Sequence, residues 1–243
     1  MPRRTKGRSR ALRRAHKHEG AEELLQQREQ LLLRWAEHPR NWLGARDLDG
    51  SPIVMTKDEL DPANPIKPFP IEQPQIGAIV DACVEHRMLF IPKPRQILGT
   101  WTVLLVVDWF LRFRPAQLWL LSKSTEDEAK QLMRDKIAHM QSCLPAWVQE
   151  ELPLKIKPQN RYTYPLTGGQ LLAVAENAAE REFRGNTASG ICIDEAAFQM
   201  NFREMVAAAA PMNGRVIALS TANLGNPGAQ YCREIMGISH AVA

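Results

Sequence analysis

The sequence predicts an α/β fold in which a mostly parallel sheet carries helices on both faces. From Pro70 onward, short apolar segments typical of buried strands alternate with longer segments whose apolar residues recur at helical spacing. The joints between these segments are short, as expected when each helix leads directly into the next parallel strand. With 44% hydrophobic residues in 243, the chain is long enough to bury the core that such a sheet requires.

The helices are predicted from apolar periodicity and from the residues that begin and end them. A helix over 19–39 has its leucines at helical spacing and ends at His38-Pro39. Thr125 and Glu128 form a capping box, so a helix is expected to begin there. The other predicted helices cover 76–86, 100–113, 202–210 and 228–236.

Strands are predicted where short apolar runs are bounded by turn residues. Gly168-Gly169 separates two short apolar-rich segments over 161–175, which is the pattern of a hairpin. The remaining predicted strands cover 88–91, 116–122, 189–194 and 215–220.

Basic residues are concentrated at the start of the chain. Residues 1–18 hold eight of the 31 Lys and Arg residues and no acidic residue, which leaves 23 basic against 27 acidic residues in the rest. We therefore divide the chain into a basic disordered arm (1–18), an N-terminal helix with a proline-rich linker (19–64) and a main domain (65–243). Such an arm can bind nucleic-acid phosphates without reading sequence, and it can equally be a solvated tail.

Composition disfavours several classes of protein. No apolar run reaches the ~18 residues of a membrane-spanning helix, and the opening MPRRTKGRSR lacks the apolar stretch of a secretory signal. The four cysteines form no C-x-x-C and the six histidines form no H-x-x-x-H pair. A structural zinc site is therefore not expected, and the cysteines are expected to be reduced.

The stretch FIPKPRQILGTW (90–101) has the order of a phosphate-binding loop: a strand, a polar loop with one glycine, and a helix that begins at Thr100. The free N–H groups and positive dipole end of that helix favour an anion in the loop. The common pattern G-x-x-x-x-G-K-[ST] has a lysine where this chain has Gly99. The cation is therefore expected from Lys93 or Arg95, and Arg95 is preferred because it lies closer to the helix. A plain strand-to-helix turn would show the same order.

The stretch GICIDEAAF (190–198) ends a buried strand with two adjacent acids, Asp194 and Glu195. Burying two carboxylates at a strand end costs free energy unless they bind a ligand or a partner. Open α/β sheets bind their ligands at this end of the strands. Asp194 is expected to hold Mg2+, and Glu195 to act as a general base on water. The alternative is that Asp194 caps a following helix.

A further strand, in VIALSTANLGNPG (216–228), ends in Ser220 and Thr221. Hydroxyl groups beside a catalytic carboxylate are suited to sensing a γ-phosphate. An ordinary turn would look the same.

The chain resembles the ATPase domain of the large subunit of phage terminases, the DNA-packaging motors. The resemblance is carried by three stretches that follow one another in the family's order: KPRQILGTW, ICIDEAAF and LSTANLG. Many members carry a variant phosphate loop, K-x-R-Q-x-G-x-[ST]-W, which Lys93, Arg95, Gln96, Thr100 and Trp101 match. The stretches LWLLSKSTEDEAKQLM and REFRGNTASGICIDEA also resemble the family's second strand with its helix and its Arg-Gly stretch. The resemblance covers about residues 65 to 236.

The upstream stretch PFPIEQPQIGAIV (68–80) resembles the family's glutamine segment, which contacts adenine. Gln75 is the better match and Gln73 is the alternate.

This resemblance implies a P-loop NTPase fold of the ASCE type, with ATP and Mg2+ as cofactors. Thr100 and Asp194 would hold Mg2+, Glu195 and Arg95 would be catalytic, and Ser220 with Thr221 would couple hydrolysis to DNA movement. The residues implied to bind ATP are Gln75, Lys93, Pro94, Arg95, Gln96, Ile97, Leu98, Gly99, Thr100 and Trp101.

The implied partners are double-stranded DNA, a portal protein and a small terminase subunit, in the host cell cytoplasm and without a membrane. The chain is expected to be a monomer in isolation and a homo-oligomeric ring when assembled. Arg184 or Arg181 is a candidate arginine finger for a neighbour's site, and a surface ion pair is equally expected for each.

Two departures from the family pattern bear on activity. Leu98 stands where the family loop has glycine, and its Cβ is expected to hinder close approach of the backbone to phosphates. Family members also carry a nuclease domain of RNase H type, whose second cluster of carboxylates this chain lacks. The alternatives to a packaging ATPase are a helicase-like nucleic-acid-dependent ATPase and a non-catalytic module that binds DNA or the portal.

Overall fold

The computed structural model describes residues 5–58, 61–93, 98–223 and 225–237, except for the side chains of 5–19, 184, 186 and 212. Its helices are Thr5–Glu37 (α1), Pro39–Leu43 (α2), Pro74–Glu85 (α3), Gly99–Phe113 (α4), Glu126–Leu132 (α5), His139–Cys143 (α6), Ala146–Glu151 (α7), Glu176–Asn186 (α8), Phe202–Ala209 (α9) and Pro227–Ile235 (α10). A π-helical turn, Met133–Ala138, joins α5 to α6, and short 3-10 turns lie at Ala196–Phe198 and Ala210–Met212. The strands are Met55–Lys57 (β1), Ile66–Pro68 (β2), Met88–Pro92 (β3), Leu118–Lys123 (β4), Arg161–Tyr164 (β5), Gly169–Ala175 (β6), Gly190–Asp194 (β7) and Arg215–Ser220 (β8).

The main sheet has six strands in the order β3-β8-β7-β4-β6-β5. Every neighbouring pair is parallel except β5 and β6, which form the hairpin predicted from Gly168-Gly169. The mostly parallel sheet predicted from strand–helix alternation is therefore confirmed. The small β1-β2 sheet is antiparallel and separate.

Helices cover both faces of the sheet because the strand residues alternate between two apolar clusters. Trp119 and Leu121 of β4 belong to the cluster that includes α3 and α4, while Leu120 belongs to the cluster that includes α8 and α9. Helix α4 is buried along almost its whole length, as its continuous apolar sequence predicts. No helix within the described ranges is both long and apolar enough to cross a membrane.

The N-terminal region differs from the prediction. Residues 5–18, expected as a disordered arm, are the first half of α1, since this stretch is rich in the helix formers Arg, Lys, Ala and Leu and has no proline. The end predicted at His38-Pro39 is confirmed, because α1 ends at Glu37 and α2 begins at Pro39.

The proline-rich segment shares the core of the main domain. Trp42, Ile53 and Val54 are buried in the same cluster as α4. The boundary drawn at residue 64 therefore does not separate two cores.

The capping box is confirmed. Thr125 Oγ1 accepts a hydrogen bond from the backbone N–H of Glu128, and the Glu128 carboxylate accepts one from the backbone N–H of Thr125. Behind the cap, Ala129, Met133, Ile137 and Met140 are buried in one cluster, although a π-helical turn interrupts the helix that carries them.

Candidate active site

The site lies where β3, β8, β7 and β4 end, at one edge of the parallel sheet. Pro92 pairs with Ser220 and Asp194 pairs with Leu219, so residues just beyond these strand ends are neighbours. The backbone N–H of Lys93 donates to Ser220 O at 2.9 Å. Strand register thus brings together the predicted loop, the acidic pair and the hydroxyl pair, which are far apart in sequence.

Lys93 is at the centre of this cluster. Its Nζ donates to Thr100 Oγ1 at 2.7 Å and lies 3.1 Å from Asp194 Oδ1 and 3.2 Å from Glu195 Oε1. The Lys93 side chain is only 9% exposed. A lysine from the front of the loop therefore reaches both predicted metal ligands, Thr100 and Asp194, and the predicted general base, Glu195.

Asp194 is held by three side chains. Its Oδ1 accepts from Thr100 Oγ1 at 3.0 Å and from Lys93, and its Oδ2 accepts from Lys123 Nζ at 2.9 Å. Burial alone would raise the pKa of Asp194, but the positive charges of the two lysines outweigh it, and the net shift of this pKa is downward. Asp194 is therefore ionised at neutral pH. The alternative that Asp194 caps a helix is wrong, because Glu195 occupies the position before the turn that follows.

Glu195 has a left-handed backbone, with φ 55° and ψ 46°. This conformation is uncommon for a residue with a Cβ and costs on the order of 1 kcal/mol. Glu195 Oε2 accepts hydrogen bonds from the backbone N–H (3.2 Å) and Oγ1 (3.0 Å) of Thr221, while Ser220 Oγ lies 3.4 Å away and donates to Thr221 O at 2.8 Å. The strained turn and these contacts hold the carboxylate at the cleft, where it is 29% exposed.

A cleft of about 520 Å³ opens beside these groups. This volume lies within the range of ~300–1,000 Å³ that small-molecule sites occupy. Its lining residues are Lys93, Lys123, Ser124, Glu128, Glu195, Phe198 and Thr221. A cleft lined by two lysines and a catalytic-type carboxylate is suited to an anionic substrate that undergoes attack by water.

A buried glutamine fixes the turn that carries the two acids. Gln199 is fully buried, and its Nε2 donates to Asp194 O at 2.7 Å and to Ser122 O at 3.2 Å. Ser122 Oγ in turn donates to Gln199 Oε1 at 2.9 Å. These bonds tie the ends of β4 and β7 together, so the acids and Lys123 have a fixed spacing.

The donor set suits Mg2+ bound together with phosphate. Thr100 Oγ1 and Asp194 Oδ1 are hard oxygen ligands 3.0 Å apart, and Mg2+ typically takes only one or two protein ligands beside phosphate oxygens and water. Within the described ranges no three His, Cys, Asp or Glu side chains cluster as a metal cage.

Two residues expected to bind nucleotide are not among the residues that line this cleft. Gln75 is exposed, and its side-chain amide donates to Gln73 Oε1 at 2.8 Å. The adenine contact expected of Gln75 or Gln73 stays a prediction. Trp101 is 3% exposed in the core, where its ring contacts His139 and the ammonium of Lys136. Trp101 was expected to bind ATP, but its side chain is buried in the core and leaves no ring surface for a nucleotide.

The phosphate loop itself is only partly described. Pro94, Arg95, Gln96 and Ile97 lie outside the described residues, so the roles expected of them stay predictions, including the preference for Arg95 over Lys93. Leu98 is the residue before α4, and its side chain packs against the core.

Gly99 begins α4. A Cβ there would meet Lys93 Cδ at 3.6 Å, an ordinary contact.

Arginines 181 and 184 lie on α8, a helix that the sequence did not predict. Arg181 is 81% exposed and lies 3.7 Å from Glu182 Oε1. It does not line the cleft of its own chain. The side chain of Arg184 lies outside the described part.

Sequence reasoning missed Gln199 as a buried support and four residues that line the cleft: Lys123, Ser124, Glu128 and Phe198. The sequence did contain an indication of Lys123, because this basic residue lies at the end of the strand that precedes the capping box. Only the pairing of β4 with β7 shows that it faces Asp194.

The structure has a strand and a helix bearing Lys93 and Thr100, an acidic pair at the end of β7, and β8 between β3 and β7. This is the arrangement that the sequence analysis expected of a P-loop NTPase fold. Among solved structures, the chain shares its fold with ATPase domains of phage large terminases. One is a mutant form of the large terminase ATPase domain of Thermus phage P74-26, with 13% identity, a TM-score of 0.51, and coverage of 64% of this chain and 67% of that chain.

Another is the large terminase of bacteriophage HK97, with 13% identity and a TM-score of 0.58. That match covers 83% of this chain and 40% of the HK97 protein, so the chain spans about two fifths of its length. No family model matches the sequence, and no curated protein matches it. The likeness is thus one of fold.

Proposed function

We propose that the chain is the ATPase motor domain of a phage terminase large subunit, which hydrolyses ATP to drive packaging of double-stranded DNA into a procapsid. The observation that carries the proposal is one contact network at the end of the sheet, beside the cleft. It joins Lys93, Thr100, Asp194, Glu195 and Thr221. A fold alone would not require a cation, a metal ligand pair, a base and a hydroxyl relay at one strand edge.

Each residue has a role that follows from its contacts. Lys93 neutralises phosphate oxygens, and Thr100 with Asp194 holds Mg2+. Mg2+, when bound, supplies further charge neutralisation at the transferred phosphate. Glu195 orients the attacking water and accepts its proton, and most of the rate comes from positioning and charge stabilisation.

Coupling to DNA movement is assigned to the end of β8. Thr221 binds Glu195 through both its N–H and its hydroxyl, and the chain continues from Thr221 toward α10. A change in the position of Glu195 during turnover would therefore move Thr221 and the segment between β8 and α10.

The proposed partners follow from this role: double-stranded DNA, a portal protein and a small terminase subunit, in the host cell cytoplasm. The chain would act in a homo-oligomeric ring. A neighbour's Arg181 or Arg184 would complete the site, as the high exposure of Arg181 allows.

The test is steady-state Mg-ATP hydrolysis by the purified chain, with and without linear double-stranded DNA. Glu195→Gln is expected to lower turnover by roughly 10²- to 10⁴-fold while nucleotide still binds. Glu204→Gln is the matched control, because this carboxylate is exposed on α9. Equal turnover in the unmodified chain and Glu195→Gln would refute the assignment, and absence of nucleotide binding by the unmodified chain would favour the non-catalytic module.

A further inference from the structure

A second lysine reaches Asp194 from the strand on the other side. Lys123 ends β4, and its neighbour Ser122 pairs with Ile193 of β7, so Lys123 lies beside Asp194. Its Nζ is 2.9 Å from Asp194 Oδ2, and its side chain is 21% exposed and lines the cleft. It is thus the more accessible of the two lysines that bind this carboxylate, since Lys93 is 9% exposed.

The two lysines bind different oxygens of Asp194. Oδ1 already accepts from Lys93 and Thr100, and Lys123 takes Oδ2. Without Lys123, Asp194 would therefore still have one ammonium and one hydroxyl as partners. A second ammonium is therefore available for another anion.

Metal binding would change the balance of charge around Asp194. A divalent cation held by Thr100 and Asp194 would add two positive charges beside two ammonium groups, and repulsion between charges a few ångströms apart is strong in a partly buried site. A lysine has a flexible four-carbon stem that lets its ammonium move to a nearby anion. Lys123 can make this move because it lines the open cleft.

We propose that Lys123 is a second phosphate-binding cation, which leaves Asp194 when Mg2+ binds and contacts the terminal phosphate of ATP. Lys123 and Thr100 bind different oxygens of Asp194, so Lys123 can leave this carboxylate without disturbing the contact between Asp194 and Thr100. Lys123 lines the cleft with Glu195 and Thr221, the groups assigned to the attacking water. The inference rests on the proposed function.

The test compares the binding of two nucleotides to the full chain. Lys123→Met, Lys123→Arg and the control Lys130→Met are titrated with ADP and with the non-hydrolysable ATP analogue AMP-PNP in Mg2+ by isothermal calorimetry. Lys130 is a matched control because it lies on α5 and pairs only with Glu126 and Asp127 in the contacts described. Thermal melting of each variant confirms that it is folded, since Asp194 keeps Lys93 and Thr100 as partners.

Lys123→Met is expected to weaken AMP-PNP binding by roughly 10- to 100-fold, the loss of a hydrogen bond to a charged group, and ADP binding by less than about threefold. Lys123→Arg is expected to retain most of the affinity, and Lys130→Met all of it.

Equal weakening of both nucleotides would show that Lys123 acts only as a counter-ion of Asp194, and no weakening of either would place it outside the site. Both results overturn the inference and leave the proposed function standing. If the unmodified chain binds neither nucleotide, the proposed function and this inference both fail.

Discussion

A buried ion pair inside α4 connects the N-terminal segment, the hairpin and the helix that starts at the phosphate loop. Asp108 Oδ2 accepts from Arg112 Nε at 2.7 Å and from Trp42 Nε1 at 3.1 Å, and Oδ1 accepts from the hydroxyl of Tyr164 at 2.8 Å. Asp108 is fully buried and Arg112 is 4% exposed. Burial, together with the nearby charge of Asp108, holds the pKa of Tyr164 well above its usual value, so its hydroxyl remains a donor.

Replacing Asp108 with Ala removes these three hydrogen bonds and leaves the guanidinium of Arg112 without a carboxylate. Arg112 keeps only neutral acceptors, Leu152 O at 3.0 Å and Gln141 Oε1 at 2.6 Å. Breaking one side of a buried pair costs about 3–5 kcal/mol. For a chain of this size, that corresponds to a fall in melting temperature of about 6–20 °C.

Urea denaturation measures this cost, with Asp127→Ala as the control. Asp127 is 92% exposed in its pair with Lys130, so its loss is expected to cost at most about 1 kcal/mol. The double variant Asp108→Leu with Arg112→Met removes both charges and is expected to cost less than Asp108→Ala alone. The reasoning is refuted if Asp108→Ala costs no more than the control, or if the double variant is the least stable.

Two further predictions concern the turn that carries the acids. The pKa of Asp194 is lowered in the folded state, so its charge contributes stability above the unfolded pKa, about 3.9, and this contribution is lost as pH falls through the folded value. In urea titrations, the unmodified chain should therefore have a higher free energy of unfolding than Asp194→Asn, and this difference should be larger at pH 7 than at pH 3. A difference that does not change with pH would contradict the prediction. A Cβ on Gly228 would overlap the backbone oxygen of Gln199 and lie 2.7 Å from Ala196 O, so Gly228→Ala should cost roughly 1–3 kcal/mol or more. Gly20→Ala, on an open part of α1, should be neutral or stabilising by up to about 1 kcal/mol, and similar melting temperatures for these two variants would show that the close approach at Gly228 is not real.

Local patterns were sufficient for most of the fold. The run that forms α4 and the strands at 88–91 and 189–194 were predicted because hydrophobic periodicity and length are properties of neighbouring residues. Helix α8 was missed because its charged sequence has few apolar positions, and its helical state depends on packing against β4 and α9. The helical state of residues 5–18 was missed because charge density was taken as a sign of disorder.

The site was predicted as a set of residue types, and its internal contacts were not. The sequence named Lys93, Thr100, Asp194 and Glu195 because an ordered strand–loop–helix and an acidic strand end are local patterns. It favoured Arg95 by distance along the chain, and this preference stays a prediction. The structure adds that Lys93 contacts Thr100, Asp194 and Glu195.

By itself, then, the sequence determined the alternation of strands and helices and the chemical groups available at the strand ends. Only the tertiary structure decided which groups meet. Lys123 and Asp194 are 71 positions apart, and they touch because β4 and β7 are paired in parallel at a particular register. A shift of one residue would turn the side chains of one strand to the opposite face, and burial of both apolar clusters selects the register that sets the two lysines on one carboxylate.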